Sequence, residues 1–255
     1  MMKAISIILF MAVYSIWMPA FAAPYDANVH FAHRIILSVP VSGEINQVNV
    51  KAGQAVNAGD ILIALDKTPF EVAVIQAQAA VTTHATEQRE AERDFEQLQE
   101  LYDRGVLSTV ELENSELKYK RAKAAHDAAQ AQLTQAQYDL AHSAVLAPFN
   151  GWVLQVLVAK NESVNNAVES LPLVIVAEAN KYIARAQVPL KAIGTIKMGK
   201  SATVTIGGKS YKGKVSAISL EPIGGKNNKA IYTVDMEFDS KGALLRGGQT
   251  AQVDI

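Results

Sequence analysis

The chain has 255 residues, 49% of them hydrophobic, a net charge of −1 and no cysteine. That is enough apolar mass for two or three modules. The charge balance gives no general case for nucleic-acid binding, and the missing cysteines exclude a disulfide framework, thiolate metal sites and lipidation at an N-terminal cysteine.

Met1 to Ala22 reads as a secretory signal. Lys3 supplies the charged start, Ala4 to Met18 the apolar stretch, Pro19 the break, and Ala20-Phe21-Ala22 the small-residue cleavage site. The apolar run is shorter than the roughly 20 residues a spanning helix needs. Export without cysteine predicts a Gram-negative periplasm.

Two copies of one half-motif follow, 108 residues apart. Pro40, Gly43, Gln47, Val48, Val50, Val56 and Asn57 recur as Pro148, Gly151, Gln155, Val156, Val158, Val164 and Asn165. Both copies alternate apolar and polar residues, as short half-buried strands do. Gly53 and Gly59 serve turns in the first copy. The second has Asn161 and Ala167 there, and asparagine tolerates a left-handed turn. Two half-sheets that each bury one face predict a single flattened sandwich over residues 23–68 and 143–178.

Between the copies, Pro69 to His142 reads as two long helices folded back on each other. The first arm repeats at Phe70, Val74, Ala77, Val81, His84, Gln88, Ala91, Phe95, Leu98 and Tyr102. The second repeats at Leu112, Ser115, Tyr119, Ala122, His126, Ala129, Leu133, Ala136 and Leu140. Alternating steps of three and four over about four heptads are the coiled-coil signal. Gly105 suits the end of the first helix and Ser108 the start of the second. A connection this short makes the arms antiparallel, and roughly 34 residues per arm predict a rod about 50 Å long. If Tyr102 faces Ser108, His84 faces His126 in one polar seam layer. Three roles are open to that pair: fixing register, a pH-sensitive hinge, or part of a metal site.

From residue 179 to 255 the text is β again. Strands are expected over Tyr182–Val188, Ala202–Ile206, Tyr211–Ser219, Ala230–Phe238 and Thr250–Ile255, with glycine pairs between several of them and a short helix within Leu190–Lys197. Even spacing with glycine turns suggests a small closed barrel. Charge is uneven: the arms carry 7 Lys+Arg against 13 Asp+Glu, and residues 179–255 carry 12 against 5. The basic end either reflects module composition alone or faces an anionic surface, lipid or protein.

The G-x-I-x-x-V-x-V of Gly43 to Val50 with the later Ala147-Pro148-Phe149-Asn150-Gly151 resembles the biotinyl/lipoyl domain. A split lipoyl fold, an inserted helical hairpin and an export signal together resemble the periplasmic adaptor, or membrane fusion protein, family. The resemblance implies an elongated α+β protein, with a coiled-coil hairpin inserted into a split lipoyl-like β-sandwich and followed by a β-barrel. It implies a bridge between an inner-membrane transporter and a TolC-like outer-membrane channel, usually as a hexamer. The cleavable signal and modest hairpin favour a proton-driven, RND-type transporter over an ABC-type exporter. Family members often carry R-L-x-x-L-x6-S-x3-L-D around the tip. Here Gln97, Leu98, Leu101, Ser108, Leu112 and Glu113 occupy those places, with Gln97 replacing arginine and Glu113 aspartate. The match points to Gln97, Leu101 and Ser108 as channel contacts. A fourth, membrane-proximal module built from both termini is expected to be either absent or truncated, since about ten mature residues precede Arg34 and the last strand runs to Ile255.

The rival reading is a cofactor carrier, because Asp66-Lys67-Thr68 stands where lipoyl carriers place their modified lysine. Pro69 and a long helix follow at once, so Lys67 sits at a helix start rather than on a swinging turn. No Ser/His/Asp grouping, carboxylate pair or metal cluster stands out, so the expectation is a bridging protein with no catalysis, cofactor or metal.

Overall fold

The computed structural model describes residues 24–166, 170–224 and 230–255. The export segment expected over residues 1–22 lies outside these. Contacts divide the chain into two units.

The first unit is a closed six-stranded barrel. Its strands are β1 (Tyr25–Phe31), β10 (Lys181–Pro189), β11 (Ser201–Ile206), β12 (Lys209–Ile218), β13 (Ile231–Asp239) and β14 (Thr250–Asp254). Around the barrel the order is β1-β10-β13-β12-β11-β14. Inward and outward residues alternate along every strand. Ala184, Ala186 and Val188 of β10 and Met236 and Phe238 of β13 are all buried. The Phe238 ring lies 6.0 Å from Tyr182 and 5.5 Å from Tyr211. The buried Tyr182 hydroxyl donates to the Leu245 carbonyl (3.3 Å) and accepts from the Leu245 N–H (3.2 Å). Asp235 holds Arg185 by two 2.7 Å bonds.

Sequence placed residues 23–33 with the sandwich and began the barrel at 179. Instead, β1 closes the barrel, with Tyr25 opposite Val253 and Asn28 opposite Thr250. Without it β14 would be an open edge, which a closed barrel removes.

The second unit holds the sandwich and the helices. One sheet runs β2 (Arg34–Leu37), β9 (Val174–Glu178), β7 (Gly151–Val156), β4 (Ala55–Val56). The other runs β6 (Ala144–Leu146), β5 (Ile61–Leu65), β3 (Gly43–Val48), β8 (Ser163–Val164). The repeats interleave rather than forming one sheet each. β4 of the first copy joins β7 of the second, and β8 of the second joins β3 of the first.

The 108-residue offset carries through to single bonds. Gly43 pairs with Val164 as Val56 pairs with Gly151. The Gly53 N–H donates to the Val153 carbonyl, and the Asn161 N–H to the Ile45 carbonyl, both at 2.7 Å. Ala58 N–H reaches the Asn150 side chain as Asn166 N–H reaches Ser42. Asn161 takes φ +68°, matching Gly53 at +84°. Ala167, the counterpart of Gly59, lies outside the described residues. Ile45, Leu62, Ile63, Leu65, Val153, Val164, Val174 and Val176 fill the space between the sheets.

α1 (Thr68–Asp103) and α2 (Thr109–Ala141) enter between β5 and β6. α1 has 36 residues, about 54 Å at 1.5 Å per residue. The buried and half-buried positions from Phe70 to Leu98 and from Leu112 to Leu140 include every member of the three-four repeat; Tyr102 is exposed. Val81, Ala129 and Leu133 pack together at the sandwich end of the seam. Nearer the far end, Phe95 stacks on Tyr119 at 6.0 Å, and the Tyr119 hydroxyl donates to Glu92 (3.2 Å). Lys118 bonds Asp94 at 2.7 Å. No helix among the described residues is long and apolar enough to cross a membrane.

Candidate docking site at the helical tip

α1 stops because of Gly105. Its φ of +77° is one that a residue with a side chain adopts at a cost. There the Gly105 N–H donates to the Tyr102 carbonyl (2.8 Å) and the Val106 N–H to the Leu101 carbonyl (3.0 Å). This pair of bonds satisfies carbonyls the last turn leaves open, the Schellman arrangement.

α2 starts at once with a capping box. The Glu111 N–H donates to Ser108 Oγ (3.3 Å), and the Ser108 N–H donates to Glu111 Oε2 (3.2 Å). The Ser108 hydroxyl also donates to Glu111 Oε2, at 2.7 Å. These two donors hold the Glu111 carboxyl below the ordinary glutamate range, the hydroxyl first and the backbone second. Leu107 and Leu112, both half-buried, take the positions of a hydrophobic staple. The turn is therefore tied at both helix ends.

This stiff turn displays apolar side chains that the seam does not use. Val106 is 72% exposed, Val110 65% and Leu101 39%, and Tyr102 is exposed beside them. Of these, sequence reasoning singled out Leu101 alone. The signal for the valines was present: two β-branched residues flank the turn and lie off the three-four repeat, where no fold requirement asks for them.

Gln97 and Leu101 stand one turn apart on α1 and share a face. Gln97 lines a groove with Leu98, Leu107, Glu111, Asn114 and Ser115. Ser115 is buried there and its Oγ has no hydrogen-bond partner among the described residues. Ser108 uses its hydroxyl inside the capping box, so it shapes the turn as well as standing on its surface.

His84 and His126, the two seam histidines, are both half-buried. His84 Nδ1 lies 2.8 Å from Glu87 Oε2 and His126 Nδ1 3.6 Å from Asp127 Oδ1. Each ring turns to a carboxylate on its own helix. Lys67 is the N-cap of α1 in helical backbone conformation, and α1 follows β5 with no hairpin turn between them. Asp66 accepts from the Thr68 N–H (3.0 Å) and hydroxyl (2.8 Å), bonds that hold its carboxyl below the usual range.

The chain is 28% identical to YdhJ of Escherichia coli K12 over 240 residues, 92% of this chain and 79% of that protein. In fold it is similar to the membrane fusion protein Spr0693 of Streptococcus pneumoniae R6, with a TM-score of 0.72 at 18% identity, over 91% of this chain and 98% of that one. It is likewise similar to a MacA-MexA chimera containing the Pseudomonas aeruginosa MexA α-hairpin, with a TM-score of 0.69 at 23% identity, over 91% of this chain and 77% of that one. Residues 36–177 match the RND MFP, barrel-sandwich hybrid domain. That segment covers more than half the chain and spans both sheets and both helices, and the protein belongs to the membrane fusion protein family of efflux adaptors.

Proposed function

We propose that this protein is the periplasmic adaptor of a tripartite efflux pump. It bridges an inner-membrane transporter of RND type and a TolC-like outer-membrane channel, acting as a hexamer and without catalysis. The observation that carries this reading is the helical pair. An arm of about 54 Å rises from between two halves of one sandwich and ends in a turn braced by a Schellman motif and a capping box. That turn exposes Leu101, Tyr102, Val106 and Val110. A contiguous apolar end on a solvated rod marks a partner surface.

The channel seats on this tip. Leu101 and the two valines supply the apolar contact, Gln97 supplies hydrogen bonds from the flank, and Ser108 fixes the shape of the turn. Glutamine at position 97 lacks the charged fork an arginine would offer, so the tip relies more on apolar burial. The two helices supercoil as a coiled coil, and side-by-side packing of such pairs forms the conduit. The domain description that matches residues 36–177 names the RND class, which favours that transporter over an ABC-type exporter. A carrier role for Lys67 has less support, because the lysine stands at a helix start.

The test is co-purification. Affinity-tagged adaptor, solubilised from cells in mild detergent, is expected to bring down an outer-membrane channel. L101D/V106D is expected to lose the channel yet keep the inner-membrane transporter and an unchanged unfolding midpoint. Retention of the channel by the double variant contradicts the assignment of the tip.

A further inference from the structure

One end of the barrel carries side chains that neither its core nor the tip assignment uses. Strand directions bring the end of β10, the start of β11, the end of β12 and the start of β13 to this same end. The short helix α3 (Leu190–Ile193) lies there, its first N–H donating to the Ala230 carbonyl at 3.0 Å. So does the loop after β12, where Ile223 and Ile231 are joined by a 2.8 Å bond. Leu220 on that loop is 94% exposed, Ile223 58%, and Met198 before β11 62%. Leu190 of α3 is exposed as well.

Lysines are interleaved with these side chains. Lys191, Lys197 and Lys200 are all exposed, and none forms an ion pair among the described residues. Glu221 is the acid of this sector among the described residues; Asp26 and Asp254 lie on the β1 and β14 side.

We infer that this end of the barrel seats on an anionic lipid surface. Leu220, Ile223 and Met198 enter the headgroup region, and Lys191, Lys197 and Lys200 meet lipid phosphates. The pattern favours lipid over a protein partner for two reasons. The cores of protein interfaces are depleted in lysine, whereas lysines among single projecting apolar side chains suit a membrane interface. The apolar residues also come from two stretches of chain, Leu220 and Ile223 on the loop after β12 and Met198 ahead of β11. This inference goes beyond the adaptor reading and does not depend on it.

The experiment uses the purified mature chain, residues 23–255, with large unilamellar vesicles. One set contains phosphatidylglycerol and the other phosphatidylcholine alone. The chain is expected to sediment with the anionic vesicles, and added salt is expected to release it. Each lysine near the surface contributes about fivefold to partitioning, so K191Q/K197Q/K200Q lowers it about a hundredfold. L220S/I223S lowers it about tenfold or more through lost apolar burial, with the thermal midpoint of the barrel unchanged. L220W is expected to shift its emission to the blue on anionic vesicles, over the constant background of Trp152. The inference is overturned if the chain does not sediment with anionic vesicles, or if binding survives both multiple variants. It is equally overturned if a photo-cross-linker at Leu220 captures a membrane protein in cells while vesicle binding is absent.

Discussion

Gly151→Ala is the sharpest test of how the sandwich is built. A Cβ at Gly151 would lie 2.1 Å from the Ala177 carbonyl oxygen and 3.0 Å from its carbon. Both are backbone atoms of β9, which pairs with β7 along its whole length, so no rotamer change relieves the clash. Pushing the strands apart costs about 3 kcal/mol, at the upper end of overpacking penalties. For a protein of this size that lowers the unfolding midpoint by roughly 6–12 °C. The repeat supplies its own control. Gly43 is the equivalent position, yet a Cβ there meets the Leu65 Cδ1 tip at 3.3 Å and otherwise makes ordinary contacts, with Leu65 Cβ and Phe70 Cζ at 3.7 Å. Because alanine is favoured over glycine in a strand by about 0.5–1 kcal/mol, Gly43→Ala is expected to be nearly neutral. Trp152, adjacent to Gly151, is the single tryptophan of residues 23–255, so its fluorescence follows the sandwich alone. If Gly151→Ala melts within a degree or so of wild type, or if Gly43→Ala is the more damaging of the two, the packing argument fails.

Other consequences concern the tip and the barrel. Ser108→Ala removes the N-cap of α2 and is expected to cost about 1 kcal/mol, seen as faster amide exchange at the start of α2 with the sandwich unaffected. Glu111 has a lowered carboxyl pKa in the folded tip. Its contribution is therefore present above the ordinary glutamate value and lost as pH falls through the lowered folded value. Amide exchange at Glu111, corrected for intrinsic rates, should rise over that acidic range in wild type and not in E111Q. Tyr182→Phe leaves the buried Leu245 N–H and carbonyl without their partner. It should destabilise the barrel by about 1–3 kcal/mol in denaturant titration, leaving the Trp152 transition in place.

Much of this architecture was legible because its signals are local or repeated. The helical stripe from Phe70 to Leu98 stands out since its neighbours are charged or small, and the buried positions follow it. The 108-residue repeat matched Gly43 and Val56 to Gly151 and Val164, though not the interleaving that pairs each with the other copy. It even anticipated the left-handed turn at Asn161, because only a few residue types fit that backbone. What escaped lay outside the repeats. β1 alternates like any strand, and nothing in Tyr25–Phe31 says that its partner begins at Thr250. The carboxylates beside His84 and His126, Glu87 and Asp127, stand on their own helices, neighbours that the seam repeat does not mark. The exposed valines at 106 and 110 lie off the seam repeat and outside the tip pattern, so neither signal marks them. An apolar residue outside the repeat is the more telling sign.

The central claim is that the tip meets the outer-membrane channel. A photo-reactive residue at Val106, placed in living cells with an intact envelope, tests it most directly, with one at the exposed mid-arm residue Thr83 as comparison. The account predicts an adduct between this protein and an outer-membrane channel at Val106, identified by mass spectrometry, and none to that channel at Thr83. Capture of the channel from Thr83 alone, or of no outer-membrane protein from Val106, would contradict it.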